Sequence, residues 1–460
     1  MSGRGRRGTS PLLGKRFHPG HVRSLLLGFL FLASLGCAQA QVRPLTILHT
    51  NDLHAHLLPD ANQQGGFARL AAVLRRETES CQACLVLNGG DLVQGTPVST
   101  IYRGLPIYEL ANLLHFDASV LGNHEFDYGW QRIEEFLRAA RFPVIAANVT
   151  DEQGRLLTPQ PYVILTAGGP GGIRVAVIGA LTADLPNLTT PDRYGPWRAL
   201  PVAETVARYA REVREKSDLI VVLGHLTVEE EAAILREVPE VAAVISGHPH
   251  NGLEVPAEVD GRVAVRMRAY GVEVGRLDLE VDMARKAVVH SSWKRIPVNR
   301  ESAPPAEDMA LAVEQWESQV REIVDVPIGT AKRSLTREEL KPVIEQAMAE
   351  ELGTDLAFWN IGGIRDTLPA GTILARNIWN ILPFDNRFVI GRFRGSQLPS
   401  SITAGWSIDP AREYTLAVSD FVATNQQAEM GASSLQFPQQ TNRVDRDVVM
   451  DWIRKKKILE

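Results

Sequence analysis

Five times between Leu45 and His250, a short aliphatic run ends directly in a polar cluster. Residues 45–48 lead into Asn51-Asp52-Leu53-His54, 85–87 into Gly90-Asp91, and 120–121 into Gly122-Asn123-His124-Glu125. Residues 219–223 lead into Gly224-His225, and 244–245 into Gly247-His248-Pro249-His250. Such runs are strand-length, and the segments between them carry helical periodicity. Phe67, Leu70, Ala71 and Leu74 fall on one helical face, and 134–141 and 202–216 read the same way. With the third and fifth runs extended to 118–121 and 241–245, and further strands at 144–147 and 175–178, the alternation predicts an α/β layered domain. In open α/β sheets the carboxyl ends of the strands share one edge, where ligands bind, so the five clusters are expected to converge.

The converging side chains are Asp52, His54, Asp91, Asn123, His225, His248 and His250, with His124 close by. Imidazole and carboxylate suit manganese, zinc, cobalt or iron. Seven ligands are too many for one tetrahedral ion. They fit two divalent ions sharing a carboxylate, a recurring arrangement in phosphate-ester hydrolysis. The glycines before Asp91, Asn123, His225 and His248 let the backbone turn sharply beside such ions. A lone Asp-x-His is usually an ordinary loop pair, and a lone Gly-His a hydrogen-bonded histidine. Yet of the nine histidines after residue 40, five fall in these clusters, which chance explains poorly. His49 and His56 lie beside them and read as structural or as supports for the ligands. Glu125 reads as a hydrogen-bonding support.

After Gly261 the pattern changes. Residues 262–268, 275–281 and 287–296 alternate apolar and polar positions without helices between them, which predicts antiparallel strands closing the domain. Pro304-Pro305 interrupts the chain, and Glu307–Val324 then reads as one amphipathic connector helix with Leu311, Trp316, Val320 and Ile323 as its apolar positions. The expected organisation is a catalytic domain over 44–300, a connector over 301–325 and a smaller domain over 326–460.

Residues 1–40 hold six basic and no acidic residues. Their apolar run at 25–35 is followed by Ala38-Gln39-Ala40, the pattern of a cleaved secretory signal. The run is short for a membrane span; an uncleaved anchor is the alternative. Cys37 is a candidate lipidation site, although Ser34 stands where a large apolar residue is expected. A periplasmic or secreted protein is therefore expected. Without the leader, 43 basic residues face 54 acidic ones, a balance unsuited to gripping a nucleic-acid backbone. The 45% of hydrophobic residues excludes a largely disordered or fibrous chain. Cys81 and Cys84 form a C-x-x-C that reads as a loop disulfide, a redox pair or half a zinc site. No second cysteine pair exists to complete a four-cysteine zinc site, and an oxidising compartment favours the disulfide.

Asp52-x-His54, Gly90-Asp91, Gly122-Asn123-His124-Glu125, Gly224-His225 and Gly247-His248-x-His250 resemble the calcineurin-like metallophosphoesterases in order and spacing. The fuller strings at 47–56, 87–99 and 121–129 look like the bacterial 5'-nucleotidase/UDP-sugar hydrolase family. Residues 360–365 and Leu382-Pro383-Phe384 resemble that family's C-terminal substrate domain. The resemblance implies a layered α-β-β-α metallophosphoesterase domain followed by a smaller α/β (α+β) substrate-binding domain. It implies hydrolysis of nucleoside monophosphates or related esters. It assigns one ion to Asp52, His54, Asp91 and His250, and the other to Asp91, Asn123, His225 and His248, with Asp91 bridging. The family often has Gln where His250 stands. His124 and Asp127 match its catalytic pair. Asp127 would orient His124, which would stabilise charge at the phosphoryl group or leaving oxygen, while the ions supply activated water.

The same resemblance makes Asn360, Arg365, Phe384 and Phe421 the candidate substrate contacts. Arg365 fits a phosphate through its fork of donors, and the two rings can stack on a base. Core packing of the phenylalanines, and an ion pair of Arg365 with Asp366 or Asp385, are the alternatives. This half departs from the family. Lys341-Pro342 and Gln346 stand where Gly-Asn and then Asp are usual, and 423–427 lacks the Asp that meets the ribose hydroxyls. Weak discrimination between ribo- and deoxyribonucleotides is therefore expected. Neighbouring readings are a 2',3'-cyclic-nucleotide phosphodiesterase, a UDP-sugar hydrolase or a sulfur-ester hydrolase. The non-enzymatic reading is a periplasmic ligand-binding protein, which would have no need of His124 and Asp127.

Overall fold

The computed structural model describes residues 42–460 apart from 405, 406 and 433. The expected leader, with Cys37, lies outside the described residues. Two six-stranded sheets stack in the first part of the chain. One sheet runs, in spatial order, Ala287–Pro297, Glu273–Asp282, Val42–Thr50, Cys84–Asn88, Ala118–Val120 and Val144–Ile145. The other runs Ala257–Val259, Arg262–Arg266, Ala243–Gly247, Leu219–His225, Ile173–Leu181 and Tyr162–Ala167.

The pleat explains why the strands read as unbroken apolar runs. Leu45 and Ile47 face the opposite sheet and share a buried cluster with Val175, Val177, Val221 and Ile245. Leu48, one pleat out of phase, packs with the helices Phe67–Glu79, Leu105–Ala111 and Trp130–Ala139. In the other sheet Ala176 and Ile178 pack against Val202–Val213 and Val228–Glu237. The central strands of each sheet are covered on both faces, so they need no polar alternation, whereas the edge strand Ala287–Pro297 is half-buried to exposed along its length. The layering is α-β-β-α, as the resemblance implies.

Two details differ from expectation. Arg262–Arg266 is not an antiparallel closing strand: it pairs parallel with Ala243–Gly247. The loop after Gly247 leaves the sheet, and Ala257–Val259 is the antiparallel leg that returns the chain to the same starting edge. In Glu307–Val324 the buried stripe is Met309, Val313, Val320 and Val324. Leu311 and Ile323 lie off that stripe and are 66% and 53% exposed. The helix is packed on the first layer, and Arg376 ties its C-terminal end to the later part through Glu317 at 2.8 Å and Asp325 at 2.6 Å.

The later part holds a three-stranded and a four-stranded sheet with the helices Arg337–Leu352 and Asp445–Lys456. Thr336 and Glu339 open the first of these helices with a reciprocal capping box. Lys341 pairs with Glu345, and Gln346 donates to Glu350 at 2.8 Å, so the residues that depart from the family serve the helix surface. A disulfide joins Cys81 to Cys84 just ahead of Cys84–Asn88. Among the described residues no helix is long and apolar enough to cross a membrane.

Candidate active site

The five polar clusters converge, and they do so from both sheets. His54 Nε2 lies 3.7 Å from Asp91 Oδ2 and 3.0 Å from His250 Nε2, and His250 Nε2 is 3.6 Å from Asp52 Oδ1. On the other side of Asp91, His225 Nε2 is 3.2 Å from Oδ2. Asn123 Oδ1 is 3.1 Å from both His225 Nε2 and His248 Nδ1. Asp52, His54, Asp91 and His250 each bring a ligand atom within 4.8 Å of the others.

These atoms suit cations. Asp91 Oδ1 accepts the His124 amide at 2.9 Å, while its buried Oδ2 has no hydrogen-bond partner. The His225 Nδ1–H donates to the Gly89 carbonyl at 2.8 Å, which fixes the ring with Nε2 towards Asp91 Oδ2 and Asn123 Oδ1. Burial pushes His248 down to about 3 and His250 down to about 2, so both rings stay neutral and keep lone pairs to offer. Burial also opposes charge on His225, but Asp91 outweighs it and lifts that ring to about 10. Carboxylate, amide and imidazole lone pairs thus meet around Asp91 with an attraction for positive charge. This is the side-chain set of a dinuclear metal centre.

The loops are held in costly shapes. Asp52, His54, Asp91, His248 and His250 all have φ between 44° and 88°, the left-handed region that non-glycine residues avoid. Support comes from residues the motif reading ranked lower or omitted. Glu125 accepts backbone N–H groups from Gly122 at 2.6 Å, Leu92 at 2.9 Å and Asp91 at 3.2 Å, clamping two ligand loops together. Asn51 donates to Asp52 Oδ2 at 2.6 Å and to the Met267 carbonyl at 3.0 Å. His56 Nδ1 meets the His54 carbonyl at 3.0 Å, and His49 stacks on Trp293, so neither joins the cluster.

His124 and Asp127 are paired, Nδ1 to Oδ2, at 2.7 Å. Burial opposes charge on His124, but Asp127 and Asp91 overcome it and raise its pKa. Phe384 stacks on the His124 ring with centroids 5.6 Å apart. Arg365 sits over Phe384 at 5.6 Å, with Nη2 3.4 Å from His54 Nε2. Asp385 pairs instead with Arg446. One cleft is lined by Asp91, Asn123, His124, Asp127, His248 and His250 from the first part of the chain and by Asn360, Arg365, Phe384 and Phe421 from the later part.

Five further cleft residues carry no motif signal in the sequence: Asn187, Leu188, Arg193, Asn386 and Glu429. Positions 423–427 hold no carboxylate, but the short helix Gln426–Met430 brings Glu429 beside Phe421 and Asn360. Burial raises its pKa, and a hydrogen bond with Asn360 partly opposes this.

The description "Calcineurin-like phosphoesterase" matches residues 45–252, and "5'-nucleotidase, C-terminal domain" matches 324–407. The chain is 31% identical over 418 residues to the 5'-nucleotidase of Rattus norvegicus, covering 77% of this chain and 70% of the relative. The chain belongs to the 5'-nucleotidase family of calcineurin-like metallophosphoesterases. A solved member, a 5'-nucleotidase precursor from Thermus thermophilus, superposes with a TM-score of 0.81 at 25% identity, over 91% of this chain and 97% of that one. A longer relative is the endonuclease YhcR of Bacillus subtilis, 27% identical over 83% of this chain, which spans 37% of that protein's length. The match to the 5'-nucleotidase C-terminal domain ends before Phe421 and Glu429, so these two cleft residues lie beyond the span of that match.

Proposed function

We propose that the chain is an exported 5'-nucleotidase that hydrolyses nucleoside monophosphates to nucleoside and phosphate. The observation that carries this reading is one continuous cleft lined both by residues of the Asp91-centred cluster and by Arg365, Phe384 and Phe421. A metal-ligand cluster, a guanidinium and aromatic rings sharing one cleft suit a phosphomonoester carrying a base. Asp52, His54, Asp91 and His250 would hold one divalent ion, and Asp91, Asn123, His225 and His248 the other. When bound, the two ions supply Lewis acidity and activate water.

The chain's own residues do the rest. Arg365 neutralises and orients the phosphoryl group through its fork of donors. His124, with Nδ1 committed to Asp127, directs Nε2 towards the leaving oxygen and meets the charge developing there. Phe384 and Phe421 hold the base between apolar faces. Asn360 and Glu429 accept hydrogen bonds from the sugar hydroxyls. The leader at 1–40 carries the chain across the membrane and is removed.

The test is product formation with Mn, Zn, Co and Mg supplied in turn: phosphate from AMP, UMP and an aryl phosphate, adenosine 2'- or 3'-monophosphate from 2',3'-cyclic AMP, and UMP with glucose 1-phosphate from UDP-glucose. Nucleoside monophosphates should give the highest kcat/KM. A preference above about tenfold for the cyclic nucleotide or the UDP-sugar would replace this reading with that one.

A further inference from the structure

Four residues close a ring beside the metal cluster. Asp127 Oδ2 meets His124 Nδ1 at 2.7 Å, and the His124 ring stacks on Phe384 at 5.6 Å with 28° between planes. The Phe384 carbonyl accepts a hydrogen bond from Arg193 Nη2 at 3.1 Å. Arg193 Nη1 returns to within 3.8 Å of Asp127 Oδ1, the carboxylate oxygen His124 does not use. The Arg193 side chain is 20% exposed and that of Asp127 5%, so the ring is largely shielded from water.

The ring joins two parts of the chain. Arg193 sits in the single turn Pro191–Tyr194, between strands of the metallophosphoesterase part, whereas Phe384 lies 191 residues later, beside Arg365. We propose that Arg193 is a positioning residue that seats the His124–Asp127 pair and the Phe384 platform as one unit. The inference rests on the reading of that pair as catalytic. The planar guanidinium reaches the two partners with separate nitrogens in a fixed fork, which the single ammonium nitrogen of a lysine does not reproduce. The aromatic seat for the nucleoside and the orientation of His124 are therefore coupled through one side chain.

The experiment is a double-mutant cycle on the metal-loaded enzyme, with a nucleoside monophosphate and a small aryl phosphate as substrates. Arg193→Ala should lower kcat about tenfold on both substrates and raise KM about tenfold on the nucleotide alone, the scale of one lost hydrogen bond to a charged group. In an Asp127→Asn background Arg193→Ala should add little to the loss of kcat. In a Phe384→Ala background it should add little to the rise in KM. Arg193→Lys should recover part of kcat but not the nucleotide KM. Metal content and thermal melting of each variant separate these effects from misfolding.

Fully additive effects, equal in kcat/KM on both substrates, would show that Arg193 meets the phosphoryl group directly and would overturn the inference alone. So would wild-type constants in Arg193→Ala. Equal kcat in wild type and Asp127→Asn would overturn the reading of the pair, and the inference with it.

Discussion

Gly122 offers a direct test of how tightly the metal centre is built. A β-carbon there would stand 2.6 Å from the Asp91 amide nitrogen and 2.8 Å from its carboxyl carbon. Gly122 is not among the glycines with positive φ, so alanine meets no backbone penalty and the contact alone carries the effect. Two relaxations are open. The Asp91 backbone and carboxylate can shift together and lose the His124 N–H bond, which stands at 2.9 Å. Alternatively, the Gly122 loop can move and lose its 2.6 Å bond to Glu125. Each is a charge-assisted hydrogen bond worth about 1.5–3 kcal/mol, or about 10–150-fold in an equilibrium constant. Because Asp91 faces His54 on one side and His225 on the other, either movement disturbs both halves of the cluster. Gly122→Ala should therefore lower the affinity for both ions by about 10–150-fold, with overpacking costing a further 1–3 kcal/mol or so of stability. Metal content by atomic emission after dialysis at graded free metal, with thermal melting in parallel, measures both. A variant that retains two ions at wild-type affinity and melts like wild type would refute the packing argument.

The other predictions follow from the same geometry. Chelation should abolish activity and a divalent ion restore it; Asp91→Ala should lose more metal than His250→Ala, since only Asp91 sits between the two groups of ligands, and equal losses would contradict the bridging role. Asp127→Asn should lower kcat by about 10–1000-fold with metal content near wild type, because it disorients His124 without touching a ligand atom; an unchanged kcat makes Asp127 structural. Glu429→Gln should reduce the AMP:dAMP ratio of kcat/KM, which a charged hydrogen bond sets at about 10–150; a wild-type ratio near one would show that Glu429 does not read the sugar. Burial raises Asp445 from the ordinary carboxylate range to about 8, against the pull of Arg446. A carboxyl raised on folding stabilises fully below its unfolded pKa and loses that contribution as pH rises to the folded value. Asp445→Asn should therefore flatten the decline of wild-type unfolding free energy between about pH 4 and 8, and parallel urea curves for the two proteins would count against it.

Much of the first layer was legible in the chain itself. Leu45 and Ile47 had to be buried on one side and Leu48 on the other, and a strand covered on both faces leaves a run that pattern reading finds. The ligand candidates were legible because Asp, Asn and His directly after such runs have only the strand ends to occupy. Patterning failed where neighbours decide. Arg262–Arg266 pairs with whichever edge its return leg reaches, and alternation does not state direction. Leu311 and Ile323 are as apolar as Met309 and Val313, and only the angle at which Glu307–Val324 meets the first layer selects the buried stripe.

The substrate contacts were least legible, and the reason is physical. A metal ligand must be one of a few residue types at a constrained backbone position, and so it leaves a motif. A hydrogen-bonding or stacking contact can be supplied from many backbone positions. Glu429 enters the cleft from the helix Gln426–Met430, although the loop expected to supply a carboxylate has none. Arg193 stands in a Pro-Asp-Arg-Tyr turn with no periodicity, 191 residues from the Phe384 carbonyl to which it donates. The amino-acid sequence by itself determined the layers, the strand ends and the kind of chemistry gathered there. The tertiary structure decided which side chains from distant turns complete the cleft, because their reach depends on how the later part of the chain packs over those strand ends.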